Sequence, residues 1–127
     1  MKITEDYVSF EVAKLLKEKK FNWDCITYYV DSEPDAVKYS MIFENNTTWE
    51  EHWCSAPTHQ MAMKWLREEF DLNIEIDTIG LKDRGTLRWR STIYNLNNQL
   101  ECYYDENCSS YEEAVEVAIK YVLENLI

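Results

Sequence analysis

Apolar residues recur every three to four positions near the start of the chain, placing Val8, Val12, Leu15 and Leu16 on one side of a helical wheel. The spacing predicts a helix capped by Thr4 or Asp6 and running to about Lys20. Lys17, Lys19 and Lys20 gather at its end, where cations complement the negative pole of the helix dipole, so they require no ligand to explain them. The period then falls to two. Residues 25–30 and 37–43 read as strands around a turn-forming segment, and pairing Val30 with Val37 sets Tyr28 opposite Tyr39 and Ile26 opposite Met41.

Ser55 before Ala56-Pro57 predicts the start of a second helix reaching about Phe70, with Ala62, Trp65, Leu66 and Phe70 as its buried stripe. Residues 72–79, 86–96 and 100–105 then form a predicted meander. If residues 79 and 86 close its first hairpin, Asp77 faces Arg88, Glu75 faces Arg90, and Ile76 lies near Trp89 on the other side. Ser109 or Ser110, with Glu112 or Glu113 three residues on, makes a capping box for a last helix that runs to the end of the chain. The expected fold is a single α+β domain over residues 1–127, in the order α-β-β-α-β-β-β-α, with one largely antiparallel sheet of about five strands covered by helices.

Charge narrows the function classes. Lys and Arg number 13 against 24 Asp and Glu, a formal net charge of −11. Such a field repels phosphate backbones, so nucleic acid is a poor candidate partner, while a basic protein surface is a better one. No run approaches the roughly 18 apolar residues of a membrane span, and no secretory leader opens the chain, so a cytoplasmic location is expected. Cys25, Cys54, Cys102 and Cys108 form no CxxC pair and are expected to be free thiols.

No catalytic constellation stands out, no cofactor is implied, and no metal is expected. His52, Cys54 and His59 offer three possible metal ligands, but their spacing matches no zinc signature. Cys54 beside a helix start with His59 close by is the one place for a thiol enzyme or a small-molecule site. The two glycines precede no helix, so a phosphate-cradling loop is unsupported.

The stretches Tyr7-Val-Ser-Phe-Glu, Cys54-Ser-Ala-Pro-Thr-His-Gln-Met-Ala-Met-Lys-Trp-Leu-Arg67 and Tyr111-Glu-Glu-Ala-Val-Glu-Val-Ala-Ile-Lys-Tyr-Val-Leu-Glu-Asn-Leu-Ile127 resemble uncharacterised small proteins of gut bacteria and their phages. The order of elements more distantly resembles the phage α-β-α sandwich domain. The resemblance implies an accessory protein of a phage or mobile element that acts on host machinery, and with no catalytic constellation the expected function is a non-enzymatic interaction protein that binds a host protein. The residues nominated for that contact are Trp49, Glu50, Glu51, His52 and Trp53, because two tryptophans among carboxylates suit an aromatic, acidic contact surface. The competing expectation is an extra edge strand in which Thr47, Trp49, Glu51 and Trp53 alternate and the tryptophans cover the end of the core.

Overall fold

A computed structural model describes residues 6–127. These form α1 (Phe10–Glu18), β1 (Cys25–Val30), β2 (Glu33–Glu44), β3 (Trp53–Ser55), α2 (His59–Phe70), β4 (Leu72–Ile79), β5 (Arg88–Asn95), β6 (Glu101–Cys108) and α3 (Tyr111–Tyr121), which continues as a π-turn over Val122–Leu126. The α+β class is as expected, but the sheet is not. Two three-stranded antiparallel sheets replace the single sheet of about five strands, in the orders β2-β1-β3 and β4-β5-β6. β3, a three-residue strand, pairs with the edge of β1 that β2 leaves free, and the later meander pairs only within itself.

Local chemistry explains the helix ends. Ser9, not Asp6, caps α1, its Oγ accepting from the Val12 amide at 3.2 Å; the other proposed cap, Thr4, lies outside the described residues. Thr58 caps α2 in the same way through the Met61 amide. Ser55 instead belongs to β3, and the extended Thr58 separates that strand from the helix. At α3, Ser110 accepts from the Glu113 amide while the Glu113 carboxylate reaches back to the amide and hydroxyl of Ser109.

One core joins all three helices to both sheets. Leu16, Phe21, Leu66, Ile93, Ile119 and Leu123 are fully buried within it, each side chain worth about 1.5–3 kcal/mol of transfer free energy. Helix α3 lies against β4 and β5, and α1 against β3. Among the described residues, no helix is long and apolar enough to cross a membrane.

Both predicted hairpin registers shift. The first hairpin turns at Asp31-Ser32, so Val30 pairs with Glu33, and further along Thr27 faces Tyr39 and Tyr28 faces Lys38. A slip of one residue exchanges the two faces of a strand. In the second, Ile79 pairs with Arg88, two residues later than expected, because a 3-10 turn at Lys82–Arg84 and the closure of Thr86 onto Leu81 lengthen the connection. A slip of two preserves the faces, so Asp77 meets Arg90, Glu75 meets Thr92 and Ile76 meets Ser91. Arg90 Nε donates to Asp77 Oδ1 at 2.7 Å and Nη2 pairs with Oδ2, and these hydrogen bonds hold the Asp77 carboxyl below its ordinary value.

Candidate functional site

Alternation along β1 sends Cys25, Thr27 and Tyr29 into the interior and leaves Ile26, Tyr28 and Val30 on the opposite face. There Tyr28 is gripped by the two tryptophans that the sequence singled out. Trp53 stacks on it with centroids 4.3 Å apart and planes at 14°, and Trp49 lies against it at 4.8 Å. The two tryptophans have different surroundings. Trp49 is buried, and its Nε1 donates to Ser55 Oγ at 2.8 Å, whereas Trp53 is half-buried at the first position of β3.

The segment carrying them is built rather than loose. Asn45 closes a turn by accepting from the Thr48 and Trp49 amides, and Asn46 spans from the Ser55 amide to the Phe21 carbonyl. Lys17 Nζ donates to the carbonyls of Glu51 and Trp53 at 2.9 and 2.8 Å, a role the helix-dipole reading of that lysine did not anticipate. Glu50, Glu51 and His52 are exposed, with His52 4.0 Å from Asp31. The five nominated residues therefore divide into one core tryptophan, three solvent-facing polar residues, and one ring at the boundary.

Sequence reasoning missed the feature beside them. Between the pairs Cys25–Glu44 and Thr27–Tyr39, β1 supplies only Ile26 while β2 supplies Ser40, Met41, Ile42 and Phe43. The excess forms a wide bulge in an edge strand. Met41 is fully exposed, Ile42 and Phe43 are 62% and 68% exposed, and Ile26 facing them is 37% exposed. The signal was the unbroken apolar run at 41–43, which an alternating strand with one buried face does not contain.

The Cys54 and His59 neighbourhood resolves into structure-bearing contacts. Cys54 sits buried in β3, and burial pushes its thiol up to about 11, so it is protonated at neutral pH. No hydrogen bond joins it to His59 among the described residues. His59 is buried at the start of α2, with its ring Nε2 2.9 Å from Glu116 Oε1, and Glu116 also accepts from the amide and hydroxyl of Ser9 at 2.7 and 2.9 Å. This network ties the first residues of α1 and α2 to the middle of α3. Among the described residues, no three His, Cys, Asp or Glu side chains converge as a metal ion would require. The four cysteines are free thiols.

Fold and site together define an α+β protein of two three-stranded sheets whose first sheet carries a half-buried aromatic stack and an exposed apolar bulge. No protein-family model, curated protein or solved structure matches the chain.

Proposed function

We propose that the chain is a non-enzymatic interaction module that docks a host protein through the outer face of its first sheet, consistent with an accessory protein of a phage or mobile element. The observation that carries this reading is the exposure of Met41, Ile42 and Phe43 on an edge strand beside Ile26 and the Tyr28–Trp53 stack. Monomeric proteins rarely leave a contiguous apolar patch in water, and natural edge strands are usually blunted by charge or covered. Glu44 stands at one end of the bulge and Glu50 and Glu51 near Trp53, while Lys38, opposite Tyr28, is paired with Glu33. An apolar centre inside a polar rim has the anatomy of a protein contact, and the acidic rim favours a partner with a basic border.

The test is capture from the source cell with the wild-type chain and with Phe43→Asp, Trp53→Ala and Lys64→Ala, the last on the exposed side of α2. The expected result is one protein retained by the wild type and by Lys64→Ala and lost with the other two, at unchanged thermal stability for Phe43→Asp. Retention by all variants contradicts the proposal.

A further inference from the structure

The second sheet carries a depression of about 600 Å³ on the face turned away from α3, and its cause is visible in the register. Thr92 sits at the centre of the middle strand, opposite Glu75 on one side and Tyr104 on the other. The neighbouring cross-strand pairs are Asp77–Arg90 and Asn73–Tyr94, with Glu101 paired to Tyr94 across β6. Strands lie about 4.8 Å apart, so a short side chain ringed by long ones leaves a hollow above itself.

The floor is chemically incomplete. Thr92 is 93% buried by its neighbours, yet its hydroxyl makes no hydrogen bond to any described residue. The Thr92 oxygen is not among the fully buried unpartnered atoms, so it opens to the depression and is free to bond a ligand group there. The walls give that group its sign. Arg90 is held by Asp77 and lies over the Tyr104 ring, whereas Glu75 and Glu101 have no cationic partner among the described residues, and Tyr94 supplies aromatic surface. An anion drawn to Arg90 would meet three carboxylates, while a cation finds two unpaired carboxylates, the Tyr94 ring and a hydroxyl that can accept from N–H.

We propose that this depression is a binding site for an organic cation bearing N–H donors, a guanidinium or ammonium group, seated over Thr92 between Glu75 and Glu101. The site is on the other sheet from the docking face and rests on its own observations, so either can fail without the other. The cation can come from an arginine side chain in a passing peptide or from a free polyamine.

Calorimetric titration at low salt with an N-acetylated, C-amidated Gly-Arg-Gly peptide and with spermidine tests it. Saturable binding of one ligand is expected, weakened about tenfold or more by Glu75→Gln with Glu101→Gln, since hydrogen bonds to charged groups are the strong ones. Thr92→Val, which keeps the volume and removes the hydroxyl, is expected to weaken it several-fold. Tighter binding of the peptide names a protein source, tighter binding of spermidine names a free polyamine, and either supports the site. The control is Glu69→Gln with Glu112→Gln, which makes the same change in net charge at exposed positions outside the depression. Equal weakening by the control pair, no effect of the Glu75 and Glu101 pair, no effect of Thr92→Val, or no saturable binding of either ligand overturns the proposal.

Discussion

Trp49 and Trp53 are four residues apart and serve different ends. The indole of Trp49 fills space beneath Tyr28 with its N–H satisfied by Ser55, so Trp49→Ala leaves a cavity and an unpaired hydroxyl together. We expect it to cost about 3–5 kcal/mol and to lower the melting temperature by roughly ten degrees or more, measured by thermal denaturation. Trp53→Ala removes a half-buried ring and is expected to cost about 1–2 kcal/mol. Equal losses for the two would refute the division of roles. The thiols give a second prediction at this scale. Burial raises Cys25 and Cys54 from an ordinary value of 9.0 to about 11, so between those values the unfolded chain releases protons that the folded chain keeps. Their contribution to stability is complete below pH 9 and is lost as pH rises toward 11. Denaturant midpoints from pH 8 to 10.5 are expected to fall less steeply for a Cys25→Ala, Cys54→Ala variant than for the wild type.

Elements were legible where the signal was local. β1 and β4 have the limits their composition predicts, and the last helix starts at one of the two serines proposed, because alternation and capping chemistry act within a few residues. The extra edge strand expected over residues 47–53 forms instead as β3 at Trp53–Ser55, since three residues carry almost no pattern and their stability comes from pairing with a strand more than twenty positions away. Each register failed for a related reason: turn length sets register, and neither the tight turn at Asp31-Ser32 nor the 3-10 turn before Gly85 announces its length in hydropathy. Gly80 exposes this second turn to test. Its φ is +89°, and a Cβ there would fall against the Thr86 carbonyl oxygen, whereas Gly85 at φ +66° faces open space. Gly80→Ala is therefore expected to destabilise by well over about 1 kcal/mol, and Gly85→Ala by about 1 kcal/mol from backbone conformation alone, measured by denaturant unfolding. A smaller loss at Gly80 than at Gly85 would contradict that account of the hairpin.

Over the whole molecule, one core carries both sheets on the helices, so each sheet has an inner face that packs and an outer face available for contact. The nominated contact segment was legible as unusual, but its partners on the surface, Tyr28 and the Met41–Phe43 bulge, were hidden behind a one-residue slip of register. The two outer faces differ in chemistry, the first apolar and aromatic with an acidic margin, the second polar and concave. The central claim concerns the first of these and is tested most directly by photo-crosslinking in the source cell, with a photoreactive residue in place of Phe43 in one variant and of Lys64 on the exposed side of α2 in another. The account predicts an adduct of one defined mass from position 43 and none from position 64. Adducts at the same level from both positions, or from neither, would contradict it.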